Sequence, residues 1–528
     1  MKVLVTDQLA EEGVALVRSQ HEVDVRTGLP PAELKSILSQ YDALIVRSET
    51  KVTREVIEAG TQLQVIARAG VGVDNIDVAA ATERGITVVN SPEGNTIAAT
   101  EHTLALLLGL ARNVPQAVAS LAAGEWKRSR FTGVELYHKT LGVLGFGKIG
   151  REVARRALGF EMRVLAYDPF VLPEQAQRMG VQLLDKDEVI SRSDFITIHL
   201  PLNAATRASI GDREFNLARK GLRVVNAARG GIIDEAALLR ALESGQAAGA
   251  AIDVFEKEPP PFDHPLLKSS KVIATPHLGA STREAQVGVA VDVAEQVLDI
   301  LAGRPARSAV NLPGISPEVL SQVRPFLSLC ARLGKLAAAL VAGPIRNATI
   351  KYSGDVTRYG TASLTRSFLM GLLQPALGDA VNLVNAAVVA EQRGLVITES
   401  TESGAPGNRV ASSLLTVSVS GDVGDRCAAG TVIGKDEIRI VSIDGYSVDL
   451  VPEGVMLITT HTDKPGMIGS VGTLLGNYQI NIAGMHLGRA NPRGRAVMVL
   501  NVDEPVSPEV LARLTHLDGM QSTTLVEF

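Results

Sequence analysis

Three residues stand just after short apolar runs and could together move a proton and a hydride at a carbon beside an acid group. His277 follows Ile273-Ala-Thr-Pro276, Arg229 follows Asn226-Ala-Ala228, and Glu258 closes Asp253-Val-Phe-Glu-Lys-Glu258. Oxidising a secondary alcohol, or reducing a ketone, needs a group that takes and returns a proton near neutral pH, and histidine does so. It also needs a fixed cation to hold a substrate carboxylate and polarise the carbonyl, which suits arginine's planar fork. A carboxylate behind the histidine sets its tautomer and favours the imidazolium. Each residue alone has an ordinary reading: a loop histidine, an Arg-Gly-Gly turn, a Glu-Pro surface corner. Their joint placement at strand ends, where ligands bind in open parallel sheets, points to catalysis.

A hydride needs an acceptor, and Gly142-Val-Leu-Gly-Phe-Gly-Lys-Ile-Gly150 indicates which one. Gly145, Gly147 and Gly150 occupy the three positions of the dinucleotide fingerprint. The first permits a tight turn, the second lets backbone approach a pyrophosphate, and the third lets the helix pack closely on the strand. The helix then begins at Lys148-Ile149, so its first amides can face phosphates. Asp168 ends the next apolar run, Arg163-Val-Leu-Ala-Tyr167. An acid there accepts from ribose hydroxyls and repels a 2′-phosphate, so the expected cofactor is NAD rather than NADP.

The elements that must hold these residues read as alternating strands and helices. Strands are expected at 2–6, 22–25, 43–46, 64–67 and 87–89, with helices near 11–19 and 31–39. A helical stretch over 98–121 leads to the fingerprint, and strands follow at 195–199, 222–226, 248–254 and 272–275. That alternation predicts parallel, doubly wound sheets. A helix at 282–301 carries Val287, Val291, Ala294 and Leu298 at helical spacing. Beyond about 311 the texture changes: strands at 347–353 and 416–420, and one or two helices over 366–393 broken at Pro375. The last segment reads βαββαβ from 456 to the C-terminus, a ferredoxin-like order.

Composition bounds the partners. The 528 residues suit three or four domains at roughly 150 residues each. A net charge of −5 with no basic stripe argues against nucleic acid. Cys330 and Cys427 have neither metal nor redox spacing and read as reduced thiols; no metal is expected. The N-terminus enters a strand at once, without a signal-peptide pattern, and the apolar helix at 100–110 carries Glu101 and His102 and is too short for a bilayer. A cytoplasmic protein is expected.

The segments Asn226-Ala-Ala-Arg-Gly-Gly-Ile-Ile-Asp-Glu235, Asp253-Val-Phe-Glu-Lys-Glu-Pro259 and Thr275-Pro-His-Leu-Gly-Ala-Ser-Thr282 resemble signatures of the D-2-hydroxyacid dehydrogenases. The resemblance implies that Arg229 orients and polarises substrate, His277 is the acid/base and Glu258 its partner. It also implies cofactor contacts from Ala227, Asp253, His277 and Gly279, with Asp253 on the nicotinamide amide. Leu44-Ile-Val-Arg-Ser-Glu-Thr-Lys-Val52 and Ala67-Arg-Ala-Gly-Val-Gly-Val-Asp-Asn-Ile-Asp77 are similar to the long-form D-3-phosphoglycerate dehydrogenase branch of that family. By that likeness Arg47 and Arg68 bind phosphate, and Gly70, Val71, Gly72 and Asn95 contact the rest of 3-phosphoglycerate.

The same likeness implies four domains. A flavodoxin-like substrate domain (1–97 and 281–308) carries an inserted Rossmann NAD domain (98–280). An α+β intervening domain (309–452) and an ACT-type regulatory domain (453–528) follow. It further implies a homotetramer in which His461, Asp463, Asn481 and Ile482 hold L-serine between paired chains. A glyoxylate or hydroxypyruvate reductase and an NAD-sensing interaction protein remain as alternatives.

Overall fold

The computed structural model describes residues 1–314, 317–341, 343–404, 412–422 and 424–528. Its first sheet holds five parallel strands in the spatial order Glu22–Val25, Lys2–Val5, Ala43–Val46, Val65–Arg68 and Thr87–Asn90. The middle strands are unbroken apolar runs because helices cover both faces. Val3, Leu4, Leu44, Ile45, Val65 and Ile66 are all 1% exposed or less. Helix Arg283–Leu301 returns to this sheet and buries Val289, Val293 and Val297 against Val3 and Val5. It lies so close to helix Glu11–Arg18 that a Cβ on Gly13 would stand 2.6 Å from the Ala290 carbonyl oxygen.

The second sheet has seven parallel strands, in the order Val272–Ala274, Ala247–Ile252, Leu222–Asn226, Phe195–Ile198, Thr140–Leu144, Arg163–Tyr167 and Gln182–Leu183. The order of successive strands reverses between Thr140–Leu144 and Phe195–Ile198, which themselves run parallel, and this opens a crevice at their carboxyl ends. Helix Thr96–Arg112 packs on this sheet through Leu104, Leu107 and Leu110. The single helix expected over 98–121 is in fact two, bent by 65° before Val114–Ala122. Asn113 takes the left-handed conformation (φ 52°), and Pro115 has no N–H to continue the ladder. Among the described residues no single helix is long and apolar enough to cross a membrane.

The third sheet is mixed: Val396–Glu402, Ile345–Gly354, Ser413–Gly421, Gly424–Ile433, Glu437–Ile443 and Tyr446–Leu450, with only the first pair parallel. Helix Pro317–Leu340, not anticipated from sequence, crosses it against helix Ala362–Leu377. The break expected at Pro375 falls instead at Gly378 (φ 59°). A proline so near a helix end removes one hydrogen bond and leaves the rest of the turn intact. The last sheet is antiparallel, in the order Ile482–Arg489, Arg495–Val502, Val455–Thr462 and Met520–Glu527. Helices Met467–Asn477 and Pro508–Thr515 cover one face with Val471, Leu475, Val510 and Leu514. On the other face Met456, Ile458, Val497, Val499 and Val526 join the core of helix Pro317–Leu340.

Candidate active site

The acid–base pair is built on the turn after strand Val272–Ala274. The Thr275 N–H continues the sheet by donating to the Ile252 carbonyl (3.0 Å), and the chain then turns through His277 at φ 55°. A positive φ is uncommon for histidine and needs support from its surroundings. The His277 N–H donates to the Asp253 carbonyl (2.9 Å), while the amides of Leu278 and Gly279 donate to the Asp253 carboxylate (2.8 and 2.9 Å). The ring Nδ1 meets Glu258 Oε2 at 2.7 Å, and Glu258 Oε1 accepts from the Phe255 amide at 3.0 Å. Burial works against ionisation of Glu258, but His277 and the Phe255 amide outweigh it and hold the carboxyl below the usual carboxylate range. An anionic Glu258 accepts from Nδ1–H, which leaves Nε2 with its lone pair. The His277 side chain is 44% exposed, so this base is open to a substrate.

Arg229, Arg68 and Arg47 form a concentration of positive charge. The Asn226 side chain accepts from the Ala228 amide (3.1 Å) and donates to the Arg229 carbonyl (3.0 Å), which fixes the turn after strand Leu222–Asn226. Arg229 Nε donates to Asp74 Oδ2 at 3.0 Å, and a Cβ on Gly72 would stand 1.8 Å from its guanidinium. The Arg68 guanidinium lies equally close to Gly70, where a Cβ would sit 2.2 Å away. Only bare backbone leaves these two cations room.

Burial, then the neighbouring Arg229, lower the Arg68 pKa to about 10, so it stays charged at neutral pH. Its Nε is buried and has no hydrogen-bond partner among the described residues, and neither has Asn95 Oδ1. Arg47 belongs to the same cluster and contributes to the depression of Arg68. Its backbone is pinned by Asp7 (2.5 Å) and by Asn75, which donates to the carbonyls of Arg47 and Thr50 at 2.7 Å each. Val71 accepts from the Asn90 side chain at 2.5 Å. A buried charged donor without an acceptor is costly, so this corner suits an anion.

The glycine turn fits a dinucleotide. Gly145 (φ 96°) would place a Cβ 2.6 Å from the His199 carbonyl, and Gly150 would place one 2.1 Å from the Gly145 carbonyl. These two glycines serve the fold. A Cβ on Gly147 would meet nothing within 4 Å, so this position is bare toward open space at the N-terminus of helix Lys148–Gly159. Asp168 accepts from the amides of Phe146 and Phe170 at 2.9 Å each, which fixes the acid beside the turn and leaves lone pairs for ribose hydroxyls. Lys148 pairs with Glu93 at 2.5 Å, so the helix start reaches the segment that carries Asn95. Ile149 follows Lys148 in the first helical turn. Gly279 lies beside Ala227, whose carbonyl would be 3.7 Å from a Cβ there.

The Asp253 side chain is wholly buried behind the His277 turn, where Thr275 Oγ1 (2.6 Å), His102 Nε2 (3.1 Å) and two backbone amides surround its carboxylate. His102 was not singled out by sequence, where it read as a polar residue on an apolar helix.

Known proteins match the whole chain. The D-isomer specific 2-hydroxyacid dehydrogenase NAD-binding domain matches residues 104–279, the D-3-phosphoglycerate dehydrogenase intervening domain 322–444, and the ACT domain 455–518. The D-3-phosphoglycerate dehydrogenase of Archaeoglobus fulgidus is 48% identical over 100% of both chains, and that of Bacillus subtilis 41% identical over 100% of this chain and 99% of its own. The chain belongs to the D-3-phosphoglycerate dehydrogenase family. Among solved structures, the NAD-dependent formate dehydrogenase of Staphylococcus aureus in complex with NAD is 30% identical, with a TM-score of 0.55, over 60% of this chain and 100% of its own. The cofactor is NAD.

In this member of the D-3-phosphoglycerate dehydrogenase family the expected effector residues are not brought together within one chain. His461 faces Ala496 across the last sheet, whereas Ile482 faces Val502, six residues further along the same strand and thus about 20 Å away. His461 is 1% exposed, its Nδ1 has no partner among the described residues, and burial pushes it below the usual histidine range. Asp463 accepts from Arg489 (2.8 Å) and the Arg493 amide (3.2 Å), and Asn481 donates to Asp503 (2.6 Å).

Proposed function

We propose that the chain oxidises 3-phospho-D-glycerate to 3-phosphooxypyruvate with NAD, the first step of serine biosynthesis. The observation that carries this reading is the Arg68–Arg229–Arg47 cluster, with its buried, unpartnered Arg68 Nε, together with the His277–Glu258 pair. Arg47 and Arg68 hold the phosphate, the backbone from Gly70 to Gly72 with Asn95 holds the carboxylate end, and Arg229 exchanges Asp74 for the substrate and polarises the forming carbonyl. Bound NAD, held by Gly145, Gly147, Lys148, Ile149, Gly150, Asp168, Ala227, Asp253, His277 and Gly279, supplies the hydride acceptor. The hydroxyl proton passes to His277 Nε2, the C–O bond gains double-bond character, and Glu258 stabilises the imidazolium.

The reading extends to a cytoplasmic homotetramer with substrate (1–97, 281–308), NAD (98–280), intervening (309–452) and ACT (453–528) domains. Control by L-serine would join His461 and Asp463 of one chain to Asn481 and Ile482 of a second, which accommodates the distance between them in a single chain. NADH absorbance decides the substrate: turnover of phosphoglycerate well above that of unphosphorylated glycerate is expected, and equal turnover would overturn the phosphate site. Added L-serine should lower the rate in wild type and not in Asp463→Ala; no effect on wild type would end the serine reading.

A further inference from the structure

A histidine on another helix reaches the carboxylate behind the His277 turn. His102 lies on helix Thr96–Arg112, and its Nε2 is 3.1 Å from Asp253 Oδ1 and 3.3 Å from Thr275 Oγ1. The Thr275 hydroxyl spends its proton on the same Asp253 oxygen at 2.6 Å. Both neighbours of Nε2 are therefore acceptors, which requires a proton on Nε2. The carboxylate so held is wholly buried and receives the amides of the two residues that follow His277. A buried carboxylate keeps its charge only when donors surround it.

We propose that His102 is a positioning residue for the acid–base pair. It donates to Asp253 and so preserves the carboxylate that shapes the left-handed turn presenting His277 to Glu258. The balance at Asp253 supports this: burial opposes its charge, and His102 is the foremost group holding the carboxyl below its usual range, ahead of Thr275 and the Leu278 amide. The other ionisable groups near this carboxylate are Glu258, which disfavours its charge, and His277 on the turn it holds. A carboxyl held low keeps its acceptors above its own pKa and loses them as pH falls through it. Without His102 that loss comes at a higher pH.

This inference rests on His277 being the acid/base, and the test separates the two claims. His102→Leu removes the donor, whereas His102→Gln keeps an N–H within similar reach. In His102→Leu, kcat should fall about tenfold to a hundredfold, the scale of a small misplacement of a catalytic group. KM for phosphoglycerate should stay nearly constant and the acidic limb of the pH–rate profile should move to higher pH. His102→Gln should recover most of the rate and the wild-type limb. Adding His102→Leu to Asp253→Asn should cost nothing further, because both act through one carboxylate. A His102→Leu enzyme with wild-type kcat and pH profile would overturn the proposal. So would Leu and Gln variants with equal losses, or an additive double mutant. If His277→Ala kept its turnover, the acid–base reading itself would fail instead.

Discussion

Arg68 has the most demanding surroundings of any residue in the cleft. Burial, then the neighbouring Arg229, depress its pKa to about 10, and its Nε finds no acceptor among the described residues. An anion would relieve both conditions at once. Arg68→Ala should therefore lower kcat/KM for phosphoglycerate about tenfold to a hundredfold, corresponding to one charge-assisted bond of about 1.5–3 kcal/mol. The loss with glycerate should be much smaller; equal losses would assign Arg68 to structure. Glu258 is held ionised below the usual range, so it faces His277 as an anion throughout neutral pH. In Glu258→Gln the imidazolium formed during oxidation loses that partner. Oxidation needs the neutral ring, so the acidic limb of the rate profile should shift downward, and an unmoved limb would remove Glu258 from the mechanism. His277, Glu258 and Arg229 were legible in sequence because each follows its own strand and carries its motif locally. His102 was not, since its partner Thr275 lies 173 residues away and no periodicity announces the contact.

At the scale of elements, the glycine turn divides its labour between fold and ligand. Gly150 abuts the Gly145 carbonyl, whereas Gly147 faces space clear of atoms to 4 Å. Gly150→Ala should cost stability of about 1–3 kcal/mol by overpacking, seen as a lower Tm. Gly147→Val should leave Tm nearly unchanged while weakening NAD about tenfold or more in a fluorescence titration, a change of at least about 1.4 kcal/mol. The reverse pattern would refute the division. The parallel sheets were readable as alternating strand and helix patterns, because a strand buried on both faces is an unbroken apolar run. The intervening region was harder. Pro325 argues against the helix Pro317–Leu340, yet Gly334 and Gly371 let it touch helix Ala362–Leu377 directly, and that packing prevails. One signal there was available: Asp444-Gly445, both with positive φ, turns the hairpin between Glu437–Ile443 and Tyr446–Leu450.

Across the whole molecule, the C-terminal half is stitched to the first sheet by asparagines. Asn382 donates to the Gly85 carbonyl at 2.8 Å, and Asn311 accepts from the Val88 amide at 2.9 Å and donates to the Ile86 carbonyl at 2.9 Å. Arg366 in turn holds the Asn311 carbonyl at 3.2 Å. Further on, the last sheet shares its core with helix Pro317–Leu340. Deleting 453–528 would remove Met456, Ile458, Val497, Val499 and Val526 from that core. The lost burial of five side chains, at about 1.5–3 kcal/mol each, is comparable with a domain's whole net stability of about 5–15 kcal/mol. The truncated chain should therefore aggregate or melt early in its intervening region, as followed by scattering and calorimetry. A truncation that melts like wild type would show that the shared core contributes little.

That common core also sets where the chain can be recombined. Grafting the terminal sheet onto another enzyme by a crossover at Glu453 would carry Met456, Ile458, Val497 and Val499 to a host lacking the helix they grew against. The stretch from Pro317 to Phe528 would have to move as one block for that shared core to be kept.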